Sequence, residues 1–333
     1  MSYEPSLKHS CLPDTVLWDC RLGGNPQMVV TTSPDLGAYM QVPSVMRKCV
    51  AFLCFQKSGN VHIVGTAFFV GVALDDTRSA SYVVTARHNL LAIDARNFDD
   101  PQHVMLRINM TDGTSKFAKI VRKAWLFPEE NSDVAVAPFA IPEEFDQEVF
   151  PVESFATEEV IEREAIGIGE EVFLIGLFVK HFGKHKNNPI LRVGNIAAMP
   201  DEPVDAGSLG HIDAYLVEAR SIGGISGSPV FVCLAGVRKN PSGTQIGGTP
   251  RYFLLGLMHG HWNWDHSKDN PVFDSDEPRM DSSGLDHINT GIAVVIPASK
   301  ILSVLNAKRF EEARQAMKKS LELQNAPEPD RHE

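Results

Sequence analysis

Three residues of this chain have the types and settings that acyl transfer through a serine requires: His88, Asp133 and Ser226. A serine hydroxyl is a poor nucleophile at neutral pH and needs a neighbouring base to take its proton. An imidazole can do this, and a carboxylate on its other ring nitrogen fixes the tautomer and stabilises the charged form. Ser226 stands in Gly223-Gly224-Ile225-Ser226-Gly227-Ser228-Pro229, directly before the apolar run Val230-Phe231-Val232. Glycines on both sides of one hydroxyl suit a tight turn whose amides converge on a point, as an oxyanion requires. Taken alone, the stretch fits a Gly-rich hairpin turn with an idle serine equally well. His88 follows Ser81-Tyr82-Val83-Val84-Thr85-Ala86-Arg87, so it lies just past the end of a β-branched run. Asp133 stands immediately before Val134-Ala135-Val136, where partial burial would let it hold a histidine N–H. Alone, the histidine reads as a surface residue and the aspartate as an ordinary strand start.

The elements that must position these residues are short strands. Apolar, β-branched runs begin near Cys49, Val61, Ser81, Val104, Phe117 and Val134, and resume near Glu171, Leu191, Ile212, Pro229, Tyr252 and Gly291. Turn formers such as Lys57-Ser58-Gly59-Asn60 and Thr111-Asp112-Gly113-Thr114 separate them. Many short strands at regular spacing predict an all-β protein built as barrels or sandwiches. The organisation read from the chain is an N-terminal extension over 1–44, a first β unit over 45–140, and an acidic connector over 141–170. A second β unit follows over 171–298, then a helix over 299–325 and a disordered tail over 326–333. Pro297 sits near the start of the helix, with Ser299 as its expected N-cap and an apolar stripe through Ile301, Leu302, Leu305, Phe310, Ala313, Met317 and Leu321. Long loops are expected over 235–251 and 261–290. His88 and Asp133 then fall in the first unit and Ser226 in the second, which puts the site in the cleft between them.

Composition narrows the partners. The 333 residues carry a formal net charge of −11, which argues against a nucleic-acid or anionic-membrane binder needing a basic face. Hydrophobic content of 43% and charged content of 22% are those of an ordinary globular chain. No signal-peptide core follows Met1, and no run reaches bilayer-spanning length. The cysteines, Cys11, Cys20, Cys49, Cys54 and Cys233, are odd in number and irregularly spaced. Reduced thiols and a cytoplasmic location are the expectation.

The segments Thr85-Ala86-Arg87-His88, Asp133-Val134-Ala135-Val136 and Gly224-Ile225-Ser226-Gly227-Ser228-Pro229, in this order, resemble the chymotrypsin-like (trypsin-fold) serine peptidases. The serine segment is similar to that of bacterial glutamyl endopeptidases. Asn289-Thr290-Gly291-Ile292-Ala293-Val294-Val295-Ile296-Pro297 resembles the end of the Deg/HtrA-type protease domain. The resemblance spans about residues 46–305 and includes no PDZ-like segment. It implies two packed antiparallel six-stranded β-barrels and a serine endopeptidase acting through an acyl-enzyme on a polypeptide substrate, without cofactor or metal. It also implies His88 as base and acid, Asp133 as its orienter, Ser226 as nucleophile, and the N–H groups of Gly224 and Ser226 as oxyanion hole. Met258, His259 and Gly260 fall on the strand that pairs with substrate. Arg220 falls at the base of the primary pocket, where a guanidinium would favour an acidic P1 side chain, unless it points to solvent or to Glu218. Ile225 stands where many secreted members carry an acid, which implies a site without zymogen ion-pair activation. Two other readings stay in view. One is a catalytically silent trypsin-fold scaffold. The other is a metal site at His259-Gly260-His261 with Trp262, Trp264, Asp265 and His266, whose spacing matches no standard catalytic zinc motif.

Overall fold

The structure is a computed structural model. It describes residues 16–18, 28–30, 42–95, 98–128, 132–178, 181–219, 225–235, 238–240, 243–245, 250–265, 270–274 and 287–325. Two seven-stranded sheets form the body, and six strands of each frame the site, the others being Phe150–Pro151 in the first and Asn270–Asp274 in the second. The first sheet takes β1 (Val50–Lys57), β2 (Asn60–Ala73), β3 (Ser79–Thr85), β4 (His103–Asn109), β5 (Ser115–Val121) and β6 (Ala135–Pro138). The second takes β7 (Glu171–Gly176), β8 (Ile190–Ala198), β9 (Tyr215–Glu218), β10 (Pro229–Leu234), β11 (Arg251–Asp265) and β12 (His287–Pro297).

All pairings among these twelve strands are antiparallel, but the two sheets close differently. In the second sheet the order β10-β7-β8-β9-β12-β11 returns on itself, because β11 also pairs with β10 from Pro229↔Leu257 to Leu234↔Arg251. This is a closed six-stranded barrel. The first sheet runs β5-β4-β1-β2-β3-β6, and its two end strands do not pair with each other among the described residues. It is a curled half-barrel, so the expected pair of closed barrels is realised as one closed and one open.

Alternation along the strands explains how the halves join. Successive side chains of a strand point to opposite faces. In β1, Ala51, Leu53 and Phe55 enter the core enclosed by the curled sheet, together with Phe69, Val83 and Leu106. Phe52 and Cys54 point the other way, into a shared core with Phe173, Phe231, Leu254 and Ile296 of the second barrel. The second barrel has its own interior of Val172, Leu174, Val217, Val230, Val232 and Leu255. Strands at this seam are buried on both faces, so they read as continuous apolar runs rather than alternating ones. β8 shows the contrast, with exposed and buried positions alternating along most of its length.

The seam is also clipped by polar contacts. Residues 181–188, beyond β7, fold back against the curled sheet. There Arg107 donates from Nη1 to the Gly183 carbonyl (2.9 Å) and from Nη2 to that of Lys184 (3.0 Å). Asn187 donates its backbone N–H to Asn109 Oδ1 and its Nδ2 to the Arg107 carbonyl, both at 2.6 Å.

Five helices complete the described chain: α1 (Ser44–Lys48), α2 (Arg87–Ala95), α3 (Glu158–Glu164), α4 (Ala298–Leu305) and α5 (Lys308–Asn325). The single helix expected over 299–325 is therefore broken at Asn306 and Ala307. Pro297 occupies the N-cap of α4, two residues before the expected Ser299, which lies inside the helix. The break lets both pieces pack on the body. Ile301, Val304 and Leu305 are buried, and Phe310 lies 5.1 Å from the Tyr82 ring, centroid to centroid. Each such side chain removed from water is worth about 1.5–3 kcal/mol. Arg314 Nη1 caps α4 by donating to the Leu305 carbonyl at 2.7 Å.

Within the expected N-terminal extension, Val16–Trp18 pairs with Met28–Val30. The expected 261–290 loop is partly strand, since β11 runs on to Asp265 and pairs with Asn270–Asp274. The expected tail over 326–333 lies outside the described residues.

Candidate active site

His88 sits one strand end and one residue into a helix. β3 stops at Thr85, and α2 starts at Arg87, a helix that the sequence pattern did not disclose. The strand fixes where the helix starts, and buried Leu90 pins its first turn to the core of the curled sheet. Asp133 precedes β6, which pairs with β3 through Thr85↔Ala135 and Val84↔Val136. That register brings the two chain segments together. The Arg87 N–H donates to the Asp133 carbonyl (3.2 Å), and the His88 N–H donates to Asp133 Oδ1 (2.8 Å). His88 Nδ1 then lies 2.5 Å from Asp133 Oδ2.

Ser226 comes from the second barrel, on the turn between β9 and β10. Its Oγ is 2.6 Å from His88 Nε2. With Nδ1–H donated to the carboxylate, Nε2 is the acceptor for the serine hydroxyl, so the three groups form one directional proton chain. Asp133 is 2% exposed and His88 17% exposed at the side chain, so of the two it is His88 that solvent reaches.

The serine turn is held by groups from three elements. Thr66 on β2 donates its N–H to the Ser226 carbonyl (3.0 Å), and Asn89 Nδ2 on α2 donates to the same oxygen (3.2 Å). On β11, Met258 accepts from the Gly227 N–H (2.9 Å) and donates to the Ser228 carbonyl (2.8 Å). Gly227 has φ +80°, and a Cβ there would stand 2.3 Å from the Thr66 carbonyl oxygen and 2.6 Å from Thr85 Oγ1. Only glycine satisfies both the left-handed backbone and this approach.

A fourth side chain joins the group. His259 Nδ1 lies 2.5 Å from Asp133 Oδ2, the oxygen that also faces His88, and its ring stands edge-on to the His88 ring at 5.5 Å. His259, expected on the strand that pairs with substrate backbone, turns its imidazole towards Asp133, while its carbonyl lies 3.5 Å from Ser226 Oγ. The cause is a register shift: Met258 pairs with Val295 and Gly260 with Val294, so β11 carries one more residue than β12 at this point. Bulges of this kind re-aim one side chain. A lone strand sequence does not disclose its partner's register, and only the flanking Gly260 hints at the irregularity. Asn89 and Thr66 were also missed as supports, because each acts on backbone of the other β unit.

Burial pushes the Asp133 carboxyl up, but the charges and hydrogen bonds of His88 and His259 outweigh this and hold it well below the usual carboxylate range. Asp133 therefore stays ionised throughout the neutral range. The set His88, Asp133 and His259 also has the donor types of a metal site. Donors around a zinc ion at about 2.0–2.2 Å stand roughly 3.3 Å apart. The 2.5 Å separations to Asp133 Oδ2 are those of hydrogen bonds instead.

Arg220 and Gly224, expected at the pocket base and the oxyanion hole, lie outside the described residues, as does the segment 220–224 between them. Ile225 is fully buried beside Ser226. Cys49, Cys54 and Cys233 are buried and not disulfide-bonded, and burial pushes the Cys54 thiol up to about 12. Cys11 and Cys20 are outside the described residues. No helix among the described residues is long and apolar enough to cross a membrane.

No protein family model matches the chain, and no curated protein matches its sequence. Among solved structures, the chain is similar to an inactive form of Rv3671c from M. tuberculosis H37Rv, at 15% identity and a TM-score of 0.42, over 84% of this chain and 96% of that one. It is similar to the HtrA-type protease AlgW bound to a decapeptide, at 14% identity and a TM-score of 0.41, over 83% and 66% of the two chains. It is also similar to Deg5, at 18% identity and a TM-score of 0.37, over 56% and 75%. Similarity at this level assigns no activity.

Proposed function

We propose that this protein is a serine endopeptidase that hydrolyses peptide bonds through an acyl-enzyme. The observation that carries the reading is the unbroken chain from Ser226 Oγ through the His88 ring to Asp133, with links of 2.6 and 2.5 Å, assembled across two β units. In the proposed cycle, Ser226 Oγ attacks the scissile carbonyl as His88 Nε2 takes its proton. His88 returns that proton to the leaving amine, and Asp133 holds the imidazolium without itself becoming protonated. Water then repeats the steps to release the acyl group. The N–H groups of Gly224 and Ser226 are assigned to the oxyanion, which needs fixed donors where charge develops. Substrate backbone is assigned to the edge of β11 near Met258, His259 and Gly260, and Arg220 to an acidic P1 side chain.

The chemistry is tested with a fluorophosphonate probe on the purified chain. Wild-type protein becomes labelled at Ser226, and Ser226→Ala does not. A wild-type chain that stays unlabelled refutes the reading and favours a silent scaffold. Peptide-library cleavage that shows no enrichment of Asp or Glu at P1 removes the assignment of Arg220 while leaving the protease reading intact.

A further inference from the structure

We propose that His259 is a positioning residue of this site: its Nδ1–H shares the Asp133 carboxylate with His88 and so sets the basicity of His88. Three observations carry this. The β11 bulge turns the imidazole off the strand face and onto Asp133. The contact is 2.5 Å long, and both partners are at most 3% exposed at the side chain, where a charge-assisted hydrogen bond is strong. Both imidazoles meet the same oxygen, Oδ2, while Oδ1 takes the His88 backbone N–H. One carboxylate thus serves three donors, two of them titratable.

The consequence is a competition. Negative charge drawn towards His259 is not available to stabilise protonated His88. Removing the His259 donor concentrates that charge on His88 and makes it the stronger base. Asp133 and His88 are the ionisable groups seen facing the His259 ring, with the Ser226 hydroxyl beyond them.

The test compares wild type with His259→Ala and His259→Asn, because an Asn amide can restore a donor near the Nδ1 position. The His88 imidazole is titrated by NMR, which needs no turnover, so the result is readable even if the serine-peptidase reading fails. The His88 midpoint should rise by about half to one pH unit in His259→Ala and stay near wild type in His259→Asn. If the chain is a peptidase, the acid limb of its kcat–pH profile should move up by the same amount in His259→Ala with KM little changed, and Asn should restore the wild-type profile. The proposal is overturned by a His88 midpoint common to all folded variants, or by Asn behaving as Ala. His259→Leu, which keeps volume without a donor, replaces Ala if that variant does not fold. If neither Ala nor Leu folds while Asn does, the role is structural and the proposal also fails.

Discussion

His88 and Asp133 belong to the unit of the open curled sheet, where two bonds join them directly and a third runs from the Arg87 N–H to the Asp133 carbonyl. Ser226 belongs to the closed barrel, yet its carbonyl is gripped by Thr66 and Asn89 of the curled sheet. The His88–Asp133 pair is thus bonded mainly within one unit, with His259 of the closed barrel added on Asp133 Oδ2, whereas the Ser226 turn is held by both units. This difference separates substitutions that disable chemistry in an intact site from those that displace one member of it.

The largest effect should come from the base. His88→Ala is expected to lower kcat/KM by at least about 10⁴-fold while leaving the fold in place, read by steady-state kinetics beside circular dichroism. Retention of near wild-type turnover would show that the contact between the units is not catalytic.

Asp133→Asn should cost about 10³–10⁴-fold, because an amide can no longer accept from both imidazoles. It should also change the acid response of stability. The folded Asp133 carboxyl is held below its unfolded value, so its contribution is present above about pH 4 and is lost as pH falls towards the lowered folded value. Wild type should therefore lose stability more steeply than Asp133→Asn below about pH 4, in urea unfolding as a function of pH. Parallel curves would mean that the two imidazoles do not stabilise the carboxylate.

Gly227→Ala attacks the cross-unit grip rather than the acid–base pair. The added Cβ must push on the Thr66 carbonyl and adopt left-handed backbone, a loss of at least about 1–2 kcal/mol in stability. Turnover should drop by tens-fold, while the His88–Asp133 contact, seen in the His88 titration, stays unchanged.

The smallest effect is expected from thiol chemistry. Burial holds the Cys49 and Cys54 thiols above their ordinary range, so they stay protonated and inert. Alkylating reagents should neither inhibit the native protein nor label these two residues before unfolding, as read by intact-mass spectrometry.

Much of this could be read from the chain because it rests on local pattern. Each expected strand start lies close to an observed strand, since doubly buried seam runs and turn formers are local signals. The order and settings of His88, Asp133 and Ser226 were legible for the same reason. What escaped depended on pairing between distant segments. α2 was hidden because its first residues, Arg87-His88-Asn89, carry no apolar periodicity and the first apolar anchor is buried Leu90. The aim of His259 depended on a register shift against β12, which its own sequence does not encode. The open state of the first sheet likewise follows from strands β5 and β6 failing to meet, a property of no single segment.

The doubly buried seam strands bear on what happens when the chain is cut. Severed within 141–170, each half would keep its own interior but leave Phe52 and Phe68 on one side, and Phe173, Phe231 and Leu254 on the other, facing water. Such fragments have a matched apolar face and the complementary polar clip of Arg107 and Asn109 with residues 183–187. They are built to find each other, so activity should return when two inactive halves are mixed.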